Sequence, residues 1–192
     1  MIRGIIFDCF GVLYQGSLGH LRDYTAAEDL PELANLNLSS DYGYVSREEY
    51  IEQVGRLTHK SPIEIEAVMR ASHIRNQALI SIVRTLRSKY KVAMLSNVGR
   101  DLMDQLFTKA ELAELFDVIV LSSDVGMVKP DPEIFRYICS QMDLAPEECV
   151  MVDDIEANIE AAKSLGMHGI VFNTTSNFIS DSRQLIAYGN NV

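Results

Sequence analysis

The sequence predicts an α/β fold: a parallel sheet core with helices on both faces and a small inserted all-helical cap. Short runs rich in Ile and Val alternate with longer segments of helical period, the signature of βαβ units. One interval, from about Gly16 to Ser72, breaks that alternation with helix starts and no convincing strand, and it is far longer than an ordinary crossover connection. Polar residues recur where the apolar runs stop, at Asp8, Ser96-Asn97 and Asp153-Asp154.

The first strand is expected at Ile2–Phe7. The cap follows, residues 16–72, leaving residues 1–15 and 73–192 as the core. Within the cap, Ser46-Arg47-Glu48-Glu49 and Ser61-Pro62-Ile63-Glu64 both fit the capping box, in which a serine hydroxyl and a glutamate satisfy orphan N–H groups reciprocally. The helices they launch have apolar faces at Tyr50, Ile51, Val54 and Leu57, then at Ile65, Val68 and Met69. Ile74, Ala78, Leu79, Ile82, Val83 and Leu86 form the stripe of the next helix, ahead of strands at Lys91–Leu95 and Asp117–Leu121. Asp131-Pro132-Glu133 starts a helix whose buried face is Ile134, Phe135, Ile138 and Met142. A strand at Cys149–Val152 leads to a stripe of Ile155, Ile159, Ala162 and Leu165 closed by Gly166, and Gly169–Phe172 completes the sheet. Most strands are continuous apolar runs, as strands covered on both faces require.

Composition narrows the function. The chain has 192 residues with 17 Lys+Arg against 27 Asp+Glu, a net charge of −10, and so acidic a surface repels nucleic acid and anionic membranes. Its apolar runs are interrupted by Asp8, Lys91, Asp117 or Asp153, well short of the roughly 20 residues of a membrane helix. The hydrophobic run after Arg3 lacks a signal-peptide layout, so a cytoplasmic location is expected. Cys9, Cys139 and Cys149 form no C-x-x-C pair and read as buried small hydrophobes rather than disulfide or zinc ligands. His20, His59, His73 and His168 show no metal-ligand spacing. Tyr14, Tyr42 and Tyr44 could contribute to a pocket under the cap or pack as amphipathic residues.

Open α/β sheets bind ligands beyond the carboxyl ends of their strands, where Asp8, Ser96-Asn97, Lys129-Pro130 and Asp153-Asp154 are placed. Ser96-Asn97 alone would serve as helix caps, and Lys129 alone as a solvated loop lysine. Asp153-Asp154 is harder to explain by capping, since one carboxylate suffices and two repel. Asp8 sits between Ile5-Ile6-Phe7 and Phe10-Gly11-Val12-Leu13, an apolar setting for an ion. Three carboxylates gathered on one rim need a cation, and an all-oxygen Asp cluster suits Mg²⁺. With Lys129 beside it, such a site could hold a phosphoryl dianion next to an Asp nucleophile.

These residues resemble the haloacid dehalogenase superfamily over essentially the whole chain. Four motifs occur in order: Ile5 to Leu13 around Asp8; Leu95-Ser96-Asn97; Val128-Lys129-Pro130-Asp131-Pro132-Glu133-Ile134-Phe135; and Met151-Val152-Asp153-Asp154 with Asn158, Ala162 and Gly166-Met167. The resemblance implies a Rossmann-like core. The interval between the first two motifs resembles the helical C1 cap of subfamily I. Tyr44 to Tyr50 looks like the cap-helix start of the branch holding sugar-phosphate phosphatases and the N-terminal phosphatase domains of epoxide hydrolases.

The resemblance further implies that Asp8 is the nucleophile forming an aspartyl-phosphate, and that Ser96 and the backbone at Asn97 hold phosphoryl oxygens. Lys129 would pair with Asp8 and phosphate. Mg²⁺ would be held by Asp8, the carbonyl of Phe10 and Asp153 and/or Asp154. The substrate would be a small phosphorylated metabolite. One position departs from the pattern: phosphatases of the superfamily usually carry a second Asp two residues after the nucleophile, as acid and base, and here it is Phe10. Loss of such a group is worth about 10²–10⁴-fold in rate, which favours substrates with a good leaving group, such as an anomeric sugar phosphate or an acyl or aryl phosphate. Two alternatives remain: a 2-haloacid dehalogenase, which carries an aromatic residue at position 10 but resembles Ser-Asn where this chain has Asp153-Asp154, and a weakly catalytic protein that binds a phosphorylated ligand.

Overall fold

The structure, a computed structural model, describes residues 1–187, so the last residues assigned to the core, 188–192, lie outside the described residues. The chain runs β1 (Gly4–Phe7), α1 (Leu18–Asp23), α2 (Leu30–Asp41), α3 (Arg47–Thr58), α4 (Pro62–Ser72), α5 (Gln77–Leu86), β2 (Lys91–Ser96), α6 (Met103–Leu106), α7 (Lys109–Leu115), β3 (Val118–Leu121), α8 (Ser122–Val125), α9 (Pro132–Gln141), β4 (Cys149–Asp153), α10 (Glu156–Ser164), β5 (His168–Val171) and α11 (Thr175–Ala187). Each predicted strand is present, with ends shifted by no more than two residues.

The strands form one parallel sheet in the order β3-β2-β1-β4-β5. Alternation along the central strand sends Ile5 and Phe7 to one face and Ile6 to the other. The first face packs against Leu79, Ile80 and Val83 of α5, Leu115 of α7 and Phe178 of α11; the second packs against Ile134, Phe135 and Ile138 of α9 and Ile159 and Ala162 of α10. The sheet is therefore covered on both sides, the reason its strands carry unbroken apolar runs. Cys9, Cys139 and Cys149 are buried free thiols, as expected.

Helices α1 to α4 form a third apolar cluster of their own, built from Leu21, Leu33, Leu36, Ile51, Val54, Ile65 and Met69. Both capping boxes form: the Glu49 N–H donates to Ser46 Oγ while Glu49 Oε2 accepts from the Ser46 N–H at 2.8 Å, and Ser61 and Glu64 repeat the arrangement.

Two predicted faces differ from expectation, and the three tyrosines pack rather than line the cavity. Ile74 and Ala78 are exposed and Ile80 is buried instead, because α5 begins only at Gln77, capped by Asn76 Oδ1, and the start fixes which residues face the sheet. Ile155 precedes α10 and is 53% exposed, placed at a cavity rather than in the core. Tyr14 is buried with its hydroxyl donated to the Leu106 carbonyl, and Tyr42 and Tyr44 stack on each other; none of the three lines the main cavity.

Candidate active site

Asp8 directly follows the central strand, and its N–H donates to the Val152 carbonyl at 2.9 Å, which sets it level with the end of β4. There Lys129 Nζ lies 2.9 Å from Asp8 Oδ1 and 2.6 Å from Asp153 Oδ2, with all three side chains buried. Asp8 Oδ1 also accepts from the Cys9 N–H at 2.6 Å. Asp153 is heavily engaged, since its Oδ1 accepts from the Ile155 N–H and from Asn158 Nδ2, each at 2.9 Å. Asp154 is exposed at the surface of the site. One oxygen each of Asp8, Asp153 and Asp154 lies within 4.8 Å of the others.

The loop after β1 leaves room for this cluster only because residue 11 is glycine. Gly11 has φ of 85°, and a Cβ there would overlap the Asp154 carboxylate. Gly11→Ala is therefore expected to displace Asp154; with Asp154 as a metal ligand, Mg²⁺ affinity would fall about 10–100-fold, the usual size for residues that orient metal ligands. Titration calorimetry with the metal alone checks it; unchanged affinity would remove Asp154 from the ligand set.

Ser96 closes β2, fully buried, and its Oγ has no hydrogen-bond partner within the protein. A buried hydroxyl without a partner costs about 1–3 kcal/mol, so the site holds an unspent donor. Asn97 does not cap a helix. Its Nδ2 donates to the Lys129 carbonyl at 2.9 Å and its Oδ1 accepts from the Lys129 N–H at 2.8 Å, so this amide fixes the backbone of the lysine. Phe10 turns its ring toward His73, 5.5 Å between centroids, and offers the site no titratable group.

Burial pushes the Asp8 carboxyl up to about 7, helped by the charge of Asp153 and opposed by Lys129. Burial would lower the Lys129 ammonium, but Asp8 and Asp153 together outweigh it and hold the group above its ordinary value. Asp154, exposed on its outer side, is raised by partial desolvation and then by the Asp153 charge. Three carboxylates against one ammonium leave the ionised cluster at −2, a charge that a divalent cation cancels. The donor set is all oxygen, so the residues present fit Mg²⁺.

Above the cluster opens a cavity of about 440 Å³, within the range of small-molecule sites. Its floor includes Asp8, Phe10, Asn97, Lys129 and Asp154, and its roof includes Asn37, Ser40, Asp41, Arg47 and Tyr50 from α2 and α3. Tyr50 Oη donates to Asn37 Oδ1 at 2.6 Å. The structure thus brings together Asp8, Phe10, Asn97, Lys129, Asp153 and Asp154, with Ser96 buried at the adjacent strand end. The roof residues escaped the sequence reading: Asn37, Ser40 and Asp41, at i, i+3 and i+4, continue the face of α2 that carries Leu33 and Leu36, so no separate polar face set them apart.

Comparison with known proteins agrees with this fold. The chain is 27% identical over 190 residues to a sesquiterpene phosphatase of Aspergillus oryzae, covering 96% of each. It is 32% identical over 82 residues to bifunctional epoxide hydrolase 2 of Rattus norvegicus, spanning 43% of this chain and only 14% of that protein. A haloacid dehalogenase family enzyme of Bacteroides thetaiotaomicron, crystallised with magnesium and inorganic phosphate, superposes with a TM-score of 0.76 at 21% identity, covering 91% of this chain and 96% of that one. Residues 2–166 match the family of haloacid dehalogenase-like hydrolases, and the chain belongs to that family.

Proposed function

We propose that the protein is a Mg²⁺-dependent phosphatase that hydrolyses a small phosphorylated metabolite, such as a sugar phosphate, through an aspartyl-phosphate on Asp8. The observation that carries this reading is the buried Asp8–Lys129–Asp153 arrangement beside the exposed Asp154, beneath a cavity of metabolite size. Asp8 Oδ1 is occupied by Lys129 and the Cys9 N–H, which leaves Oδ2 as the attacking atom. Lys129 orients that carboxylate and meets phosphoryl oxygen, while the unpartnered Ser96 hydroxyl donates to another. Asp8, Asp154 and the Phe10 carbonyl would hold Mg²⁺ directly, and Asp153, whose oxygens are already engaged, would act through water and by positioning Lys129. When bound, Mg²⁺ supplies neutralisation of the phosphoryl charge.

The dehalogenase reading needs no metal and leaves Asp154, crowded against two other carboxylates, without a purpose. Phosphate release from a panel of phosphorylated metabolites and aryl phosphates, with Mg²⁺ and with chelator, tests the proposal. Mg²⁺-dependent release is expected. Chloride release from chloroacetate that survives the chelator, with no phosphate released from any ester, would overturn it.

A further inference from the structure

Phosphoryl transfer to a carboxylate leaves an alkoxide behind, and water attack on the resulting acyl phosphate needs a base. Phe10 supplies neither. Among the described residues lining the cavity there is no His, Glu or Cys, and the carboxyls are Asp8, Asp154 and Asp41. Asp8 is the nucleophile and Asp154 a metal ligand in the reading above, so Asp41 alone is unassigned.

We infer that Asp41, at the last turn of α2, is the acid and base of this hydrolase and replaces from the helical insertion what position 10 lacks. This rests on the phosphatase reading of the site. In the first half-reaction Asp8 Oδ2 bonds to phosphorus, the bond from phosphorus to the ester oxygen breaks, and that oxygen takes its electron pair together with the Asp41 proton. In the second half-reaction water gives a proton to the Asp41 carboxylate as its oxygen bonds to phosphorus. The bond from phosphorus to Asp8 breaks with its electron pair returning to the carboxylate, phosphate leaves, and Asp41 is again protonated.

Three observations support the assignment. Asp41 lines the same cavity as Asp8 and Lys129, and lies close enough to Lys129 for the ammonium charge to act on it. Its backbone is anchored to the core. Its carbonyl accepts from Ser122 Oγ at 2.6 Å, and that hydroxyl accepts from the Val98 N–H at 2.9 Å, tying the end of α2 to the ends of β2 and β3. The next turn is equally close, since Gly43, with φ of 74°, passes so near the Ser123 carbonyl that a Cβ would not fit. A backbone held from both sides keeps the Asp41 side chain at the cavity, where a proton can pass to and from the reacting group. Burial, opposed by Lys129, raises it to about 6, close to the neutral range where one group serves as both acid and base. Tyr50, on α3, is the neighbouring titratable group; burial and the Asp41 charge raise its phenol, which leaves it unsuited to the base step.

The assignment changes the expected substrate range, because a proton donor in the cavity removes the requirement for an acidic leaving group. The test compares the unmodified chain with Asp41→Asn on an activated aryl phosphate and an unactivated alkyl phosphate, both with Mg²⁺, in single-turnover experiments. The unmodified chain is expected to depend weakly on leaving-group acidity. Asp41→Asn is expected to lose about 10²–10⁴-fold on the alkyl ester and less than about 10-fold in phosphorylation by the aryl ester, with slow release of phosphate from Asp8 in both cases. Activity retained on the aryl ester also shows that the variant folds. Equal losses on both esters, or none, would overturn the role of Asp41 and leave the phosphatase reading intact. Absence of Mg²⁺-dependent turnover of either ester by the unmodified chain would overturn both.

Discussion

Asp8→Asn is expected to give a folded protein whose Mg²⁺-dependent phosphate release is at least about 10⁴-fold below that of the unmodified chain, the scale on which loss of a covalent nucleophile acts. The amide keeps an oxygen for Lys129 Nζ and the Cys9 N–H, now 2.9 Å and 2.6 Å from Asp8 Oδ1, so the geometry around it has no reason to collapse. What disappears is the attacking electron pair. Intact-mass measurement after rapid acid quench should show a phosphoryl adduct on the unmodified chain and none on the variant; an adduct on the variant would place the nucleophile elsewhere. A stability change should accompany the loss. The Asp8 carboxyl is raised to about 7 by burial, so the fold favours its protonated form, and ionising it costs stability as pH rises from the ordinary carboxylate range toward 7. An amide carries no such cost. In chelator, thermal melting of Asp8→Asn should therefore exceed that of the unmodified chain by a margin that widens from about pH 5 to about pH 8. A margin independent of pH would mean that Asp8 is not held above its ordinary value.

The floor of this site was readable in the sequence because chemistry and topology coincide there. Asp8, Ser96, Lys129 and Asp153-Asp154 follow strand-like runs, or stand in the loop beyond one, and a parallel sheet brings such positions to one edge whatever the loops do. The roof was not readable in the same way. Asn37, Ser40, Asp41 and Tyr50 reach the cavity only through the angle at which α2 and α3 cross over the core. That angle is set by tertiary contacts such as Ser122 Oγ to the Asp41 carbonyl, which join residues far apart in the chain and leave no periodic trace. Tyr50 shows the limit well: its spacing placed it on the apolar face with Ile51 and Val54, yet its hydroxyl meets Asn37 at the cavity. Asn97 carries a related lesson. Its identity marked the site, but its amide is spent on the Lys129 backbone, a contact that no spacing rule predicts.

Lys129→Met should be the most destabilising single change in the site, and its pH dependence should reveal why. Met fills much of the volume of the lysine stem but leaves Asp8 and Asp153, 7% and 0% exposed at their side chains, facing each other without a counter-charge. Breaking a buried ion pair by removing one partner costs about 3–5 kcal/mol, because the remaining charge stays desolvated. Lys129 itself is held above its ordinary value, so its contribution is complete below its unfolded pKa and lost only as pH rises through the higher folded one. Any slope between about pH 5 and about pH 8 must then come from Asp8, whose carboxyl burial already raises. Without the ammonium Asp8 should bind its proton more tightly still in the folded state. Stability is then lost as pH rises through that raised value and regained as pH falls. Urea unfolding of Lys129→Met should accordingly show a deficit that is largest near about pH 8 and shrinks toward about pH 5. Added Mg²⁺ should recover part of the stability at the higher pH by cancelling the same charge, while phosphate release stays abolished for want of the group that orients Asp8. A deficit equal at every pH and indifferent to Mg²⁺ would mean that Lys129 serves the fold through packing alone.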